Sequence, residues 1–491
     1  MALDTDTPFS ELEQRFEAMY RASRSMPPWT LGERTGVLRT LQQVIAVSRD
    51  EFAAAISADF GTRAAEETLM AEVVPALTLI AHTVRQLGTW MAPERRSTAI
   101  SFWMGYNRIY YQPKGVVLII APWNYPLQLA VIPLAAALAA GNRVILKPSE
   151  LTPHTSALLK LRLEEAFGAD VVTVATGGAD IAAGLSSLPF DHILFTGSTG
   201  VGAKVMAAAA QNLTPVTLEL GGKSPAIVHE GADMTTAAAR IARGKLLNAG
   251  QTCIAPDYAL VPRARVGDFV VDYGAAAARF YPRVIDNPQY TSIVSERHFE
   301  RLAGLLREAR NHGAKASIVD PAGELPSSEA ASSNTRKIAP VVLTDVTDDM
   351  GIMQEEIFGP ILPVVAYDTL DEAIAYVNGR PRPLALYYFD TDKDRIAHVL
   401  ARTTSGGATV NDTLLHVAQE DLPFGGVGPS GMGAYHGREG FLTFSHAKAV
   451  FHQGRFTLTD LVNPPYGGRF QSIMKAALAR AGAGRRKPRA P

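Results

Sequence analysis

The sequence predicts an α/β protein, a doubly wound, Rossmann-like domain followed by a second α/β domain. Three observations lead there. Apolar, strand-like segments alternate with helical ones from residue 116 to residue 220. Those segments are too uniformly apolar for a sheet with one wet face, so helices cover both faces of a parallel sheet. The length of 491 residues, 47% of them hydrophobic and 19% charged, supplies core for two or three domains.

The elements follow in order. Residues 30–90 read as long helices, because Leu38, Leu41 and Ile45, then Phe52, Ala55 and Ile56, recur at helical spacing. Arg108 to Gln112 is β-like. Val116 to Ala121 is an apolar strand, followed by a Pro-rich loop and a helix over 127–140. Arg143 to Leu146, Val171 to Ala175, His192 to Phe195 and Val216 to Leu220 are further strands, with helices near 155–167, after Gly178 and over 201–211. Right-handed crossovers between such units give the doubly wound arrangement. A second series has helices over 233–247, 297–311 and 370–378 and a strand at Tyr258 to Val261. Ser405-Gly406-Gly407 reads as a hinge, and Phe441 to Phe451 as β-like. The expected divisions are 1–218, 219–405, 406–455 returning to the first domain, and a flexible tail over 456–491.

Bulk properties exclude several function classes. The formal net charge is −1, so no global field draws the chain to nucleic acid or to an anionic membrane. The local exception is the end, where Lys475, Arg480, Arg485, Arg486, Lys487 and Arg489 occur without an acid. That pattern is a solubilising tail or a membrane-surface or partner contact. The start lacks a signal-peptide core. The longest apolar run, Leu127 to Ala140, is shorter than the ~20 residues that span a bilayer. Cys253 is the sole cysteine, so neither an internal disulfide nor a multi-thiolate zinc site can form. A cytoplasmic protein without a metal site is expected.

Polar residues at the ends of apolar strands carry the chemistry. Gly197-Ser198-Thr199-Gly200-Val201-Gly202 follows a strand and opens a helix, the context that presents backbone N–H groups and a helix N-terminus to a pyrophosphate; a plain tight turn reads the same way. Gly426, Gly428 and Gly431 match G-x-G-x-x-G without a strand before or a helix after, a chance match. Gly222-Lys223-Ser224 fails as a P-loop because residue 217 is Thr. Asn124 follows the first strand, in PWNYP. Lys147 and Glu150 follow the second, in KPSE, at a strand end where ligands bind, or as ordinary edge and helix-start charges. Glu219 lies between two leucines on a core strand, where a carboxylate needs an ion-pair partner or a job. Cys253, in GQTCIAP, is either a small core residue or a presented thiol. Glu356, in EEIFGP, is a loop acid, solvated or functional.

Taken in order, PWNYP, KPSE, FTGSTGVG (195–202), LELGGKSP (218–225), GQTCIAPDY (250–258), EEIFGP (355–360) and LPFGGVGPSGMGAYHG (422–437) resemble the aldehyde dehydrogenase superfamily, over residues 30–452. IAPDY and GMGAYHG are similar to the class 3 branch, which includes fatty, aromatic and bacterial coniferyl aldehyde dehydrogenases, and the whole looks most similar to the last. The resemblance implies that Cys253 attacks the aldehyde, that the Asn124 amide and the Cys253 N–H hold the oxyanion, and that Glu219 activates the hydrolytic water. It implies that Lys147 and Glu150 bind the adenosine ribose, and that Ser198 and the Gly197–Gly202 loop lie under the pyrophosphate. Glu356 would hold the nicotinamide ribose, with Phe358 beside the ring. It makes 219–405 the catalytic domain and adds a small oligomerisation element, with strands at 106–114 and 441–451, hence a homodimer. Class 3 relatives sometimes end in a membrane anchor; the basic tail here leads instead to an expectation of no stable membrane insertion. Trp123 and Tyr125 are an aromatic wall for the substrate or plain core. Glu150 should repel a 2′-phosphate, which favours NAD over NADP, though some relatives accept NADP. The expected substrate is an aromatic aldehyde of the coniferyl type, with medium- or long-chain aliphatic aldehydes as the alternative. Other readings are a cysteine-dependent ester or thioester hydrolase, a non-enzymatic member and a coenzyme A-acylating enzyme; retention of Glu219 argues for water over coenzyme A.

Overall fold

Runs of Val, Ile and Leu form the central parallel sheet because each strand is buried on both faces; Val116–Ile120 and Arg143–Lys147 are buried at every position. The computed structural model describes residues 6–326, 330–457 and 463–483. It divides into one unit of residues 1–90 and 113–445 and a second of residues 91–112 and 446–491.

In the first unit, the chain enters its first sheet at Val116–Ile120, adds Arg143–Lys147 and Val172–Val174 on one side, then returns to add His192–Gly197 and Val216–Leu220 on the other. The direction of winding therefore reverses between Val116–Ile120 and His192–Gly197. A crevice opens beyond the carboxyl ends of strands at such a point. The sixth strand, Gly431–Met432, comes from far along the chain and pairs antiparallel with Val216–Leu220, placing Gly431 opposite Glu219. Gln128–Ala139 follows the first strand as a helix buried at nearly every position.

The second sheet has seven strands, in the order Lys315–Ile318, Val341–Thr344, Ile361–Tyr367, Tyr258–Pro262, Pro225–Val228, Ala385–Phe389 and Gly407–Val410, all parallel but the first pair. It has its own core, including Ile227, Leu260, Val341, Ile361 and Leu386. The expected division at 218/219 runs through the strand Val216–Leu220, and the division at 405/406 precedes a strand of the second sheet.

Other expectations are corrected. The β-like segment 441–451 begins as the end of a helix, Gly437–Thr443; only Ser445–His452 is strand. Phe441 is buried beside Trp90, their rings 6.0 Å apart, so its apolar character serves helix packing. The tail contains a helix, Gly468–Ala483, where Ala, Leu, Met and Lys are strong helix formers; Arg485, Arg486, Lys487 and Arg489 lie outside the described residues. A helix at Phe9–Ser25, not foreseen, buries Leu12, Phe16 and Met19 in the core of the first sheet. Among the described residues one helix, Ala65–Met91, is long and apolar enough to cross a membrane, but half of its apolar window is buried in the fold. In the second unit, Glu94–Arg96 pairs antiparallel with the strand Tyr106–Pro113, Phe102 packs edge-on against Phe451, and Tyr106 stacks on His452.

Candidate active site

A cavity of about 390 Å³ opens where the first sheet reverses, lined by Trp123, Asn124, Thr196 to Thr199, Glu219 to Gly221, Cys253, His298, Arg301, Glu355, Glu356 and Phe358. The structure thus gathers Asn124, Gly197, Ser198, Glu219, Cys253, Glu356, Phe358 and Trp123 in one place.

Cys253 stands after a loop under strain. Asn248 and Ala249 have φ of 52° and 50°, and Gly250 has 77°. Left-handed non-glycine residues cost about 1–3 kcal/mol each and persist only where the surroundings enforce them. Buried amides do so here. The Asn248 side chain donates to the carbonyls of Asn124 (2.9 Å) and Gln251 (3.1 Å), and the Gln251 side chain donates to those of Asn248 (3.0 Å) and Ser292 (3.1 Å). A side chain at Gly250 would meet the Gly359 carbonyl at 2.3 Å. The resting thiol is pushed up by burial, then by Glu219 and Glu356, while the backbone N–H groups of Cys253 and Ile254 favour the thiolate.

Glu219 is buried, and neither of its carboxyl oxygens has a hydrogen-bond partner among the described residues. The structural ion pair is therefore not what holds it there. Burial, then the nearby Glu356, raises its carboxyl well above the ordinary range. Its strand mate across the pair is Gly431, whose φ is +144° and whose Cβ would meet the Leu218 carbonyl at 2.3 Å. The Gly-rich segment dismissed as a chance motif is the hairpin that backs this carboxylate.

Glu356 is no solvated loop acid. It lines the cavity, and burial, then Asp257, pushes its carboxyl up to about 8 against the pull of the Gly222 N–H, Lys223 and Lys245. A Cβ at Gly221 would lie 2.0 Å from Glu356 Oε2, so any larger residue there would push the Glu356 carboxylate out of place. Lys223, read only as a failed P-loop lysine, pairs with Asp257 and donates to the carbonyls of Ile352 (2.8 Å) and Glu355 (2.9 Å); Asp257 accepts from the Ile357 N–H at 3.0 Å. Together they fix the loop that presents Glu356 and Phe358. A charged pair inside otherwise apolar segments was the available signal.

Ser198 caps the helix Thr199–Ala210, its hydroxyl accepting from the Val201 N–H. That helix opens into the cavity N-terminus first, which suits an anion. Gly202 is needed for contact, since a Cβ would meet Leu220 at 2.7 Å. Lys147 is buried, bonded to the Pro148 carbonyl (3.0 Å) and paired with exposed Glu150 (3.2 Å) at the end of an inner strand. It is no edge charge. Trp123 lines the cavity between His298 and Phe358, at ring distances of 5.0 and 5.4 Å. Tyr125 does not. It is buried, its hydroxyl 2.7 Å from that of Thr252, so it braces the cysteine loop and does not wall the cavity. The sequence left open which of the two aromatic side chains would reach the cavity.

Residues 7–450 match the Aldehyde dehydrogenase family. The chain belongs to the aldehyde dehydrogenase family. A Pseudomonas aeruginosa protein described as a probable coniferyl aldehyde dehydrogenase is 50% identical over 95% of this chain and 96% of its own. The coniferyl aldehyde dehydrogenase of Pseudomonas sp. strain HR199 is 43% identical over 96% of each. Among solved structures, Staphylococcus aureus AldH in a substrate-bound state superposes with a TM-score of 0.88 at 39% identity, covering 95% of this chain and 99% of that one. The protein is an NAD(P)-dependent aldehyde dehydrogenase, an oxidoreductase that acts on an aldehyde. The cavity of this aldehyde dehydrogenase fits its cofactor. A helix N-terminus at Ser198, a glycine floor at Gly197 and Gly221, and the carboxylate of Glu356 line the same space as the thiol.

Proposed function

We propose that this aldehyde dehydrogenase oxidises an aryl-propenal of the coniferaldehyde type to its acid, with NAD preferred over NADP. The observation that carries the chemistry is the meeting of Cys253, Asn124 and an unpartnered Glu219 in one cavity. Cys253, as thiolate, forms a C–S bond to the carbonyl carbon, and the oxygen takes the negative charge. The Asn124 amide and the Cys253 N–H receive that oxygen, each such donor contributing about 3 kcal/mol. When bound, the nicotinamide would supply the acceptor for the hydride lost as the C–H bond of that carbon breaks, and what remains on Cys253 is a thioester. Glu219 then takes a proton from water as its oxygen attacks the thioester carbon, releasing the acid and the thiolate.

The substrate class is supported by relatives named for coniferyl aldehyde and by the aromatic side chains of Trp123 and Phe358 on the cavity wall. Long aliphatic aldehydes are the alternative. The nucleotide preference rests on Glu150, whose charge beside a 2′-phosphate would repel it. A cytoplasmic homodimer without stable membrane insertion belongs to the same reading. The test is NADH formation by absorbance with coniferaldehyde, benzaldehyde and hexanal, with NAD and with NADP, for wild type and Cys253→Ala. The expected result is turnover fastest with coniferaldehyde and NAD and none in the variant. Equal or faster turnover with hexanal, or a kcat/KM for NADP at or above that for NAD, overturns the corresponding part.

A further inference from the structure

Three charged side chains are buried together behind the cavity, and the chemistry above uses none of them. Arg63 and Glu72 are essentially inaccessible, and Glu67 nearly so. Arg63 Nη1 lies 2.9 Å from Glu72, and its Nε lies 3.6 Å from Glu67. The Nε and Nη2 of the guanidinium make no hydrogen bonds among the described residues. Such a cluster is a poor stabilising device. Apolar residues of similar volume often do as well or better, and buried unsatisfied donors carry a cost.

Its contacts give it another role. Arg63 Nη1 donates to the carbonyl of Asn124 at 3.2 Å, and its guanidinium lies 5.0 Å from the centre of the Tyr125 ring. Glu72 accepts from the N–H groups of Leu127 (2.8 Å) and Gln128 (3.1 Å). Arg63 and Glu72 thus clamp the segment that carries the Asn124 amide. Glu67 faces the other side. It accepts from the Thr291 hydroxyl at 3.3 Å, and the Asn124 carbonyl that takes Arg63 also accepts from the Asn248 side chain at 2.9 Å, so the guanidinium and the strained loop before Cys253 meet at one carbonyl.

The helix is deformed to make this happen. Glu67 and Glu72 are five residues apart, which on an α-helix puts them about 140° apart. A π-helical turn at Leu69–Val73 intervenes. Its wider winding brings position i+5 back toward the same side, and such turns concentrate at functional sites.

We propose that Arg63, held between Glu67 and Glu72, is a positioning residue that sets the spacing between the Asn124 amide and the Cys253 loop, and with it the strength of the oxyanion site. The inference rests on the reading of Asn124 as an oxyanion donor. The test is a double-mutant cycle on coniferaldehyde oxidation with Arg63→Met and Asn124→Ala. Arg63→Met lowers kcat about 10- to 100-fold, the cost of a small misplacement, with the KM for NAD unchanged. In the Asn124→Ala background the same substitution has little further effect, because the donor it positions is gone. Glu72→Gln keeps the volume and an acceptor oxygen, and carries the same cycle if Arg63→Met yields no soluble protein. Arg63→Lys restores part of the lost kcat. Equal losses in both backgrounds, or a loss in KM for NAD alone, overturn the proposal and leave Asn124 untouched. If Asn124→Ala by itself leaves kcat unchanged, the oxyanion reading falls and takes this inference with it.

Discussion

Glu219 and Cys253 sit in a setting that disfavours both their charged forms, so each gives up its proton at a higher pH than the free group does. The sign follows directly. Both groups act in their deprotonated forms, both are raised, and so activity should climb as pH rises from neutral into the alkaline range. A kcat/KM profile that falls between pH 7 and 9 contradicts this. Glu219→Gln removes one of the charges that raise Cys253, so alkylation of the thiol by iodoacetamide should reach half its limiting rate at lower pH than in wild type. The same variant should slow thioester hydrolysis by about 10²–10⁴-fold. It should then show a burst of NADH, one per active site, followed by a slow steady state; a full-rate steady state excludes Glu219 as base. These two residues were legible in the sequence, because a carboxylate on an apolar strand and a thiol in a loop are each conspicuous. Lys147 was conspicuous for the same reason, and the structure buries it beside Glu150 without placing it on the cavity wall. Arg63 was not, since an arginine just before a helix, next to alanines and glutamates, looks like any solvated residue.

At the scale of elements, glycines in two places leave room that neighbouring groups occupy. Gly221→Ala would push against Glu356, and the expected outcome is a higher KM for NAD with little change in melting temperature. An unchanged KM would mean that Glu356 yields without consequence. Gly426→Ala would place a Cβ 1.9 Å from the Ser430 carbonyl, in the hairpin behind Glu219. It should cost about 1–3 kcal/mol in urea unfolding, and more in kcat, since the strand it displaces backs the base. The five parallel strands of the first sheet were readable because their alternation with helices is unbroken; the antiparallel sixth, Gly431–Met432, was not, because its Gly-rich segment carries no apolar pattern. The second was read only in part. Its strands Pro225–Val228, Ile361–Tyr367 and Ala385–Phe389 are short apolar runs between loops, and such runs do not declare whether they are strand or buried helix. The π-helical turn at Leu69–Val73 leaves no periodic mark at all, because one extra residue shifts a helical pattern without interrupting it.

For the whole molecule, the proposed homodimer makes a demand on the second unit, which exposes Trp103 (64%), Tyr106 (51%) and Phe451 (44%). Replacing Phe451 by Glu should convert a dimer into a monomer in multi-angle light scattering; a monomeric wild type would end the proposal. The long return of the chain also has a temporal side. The strand that borders Glu219 in the first sheet is Gly431–Met432, drawn from more than two hundred residues downstream. Until that stretch has left the ribosome, the Glu219 strand is an open edge and its carboxylate has water where it will later have protein. The proposed base is thus finished only once the chain has grown past residue 432, so a nascent chain can hold the five parallel strands of the first sheet and still be inert toward aldehydes.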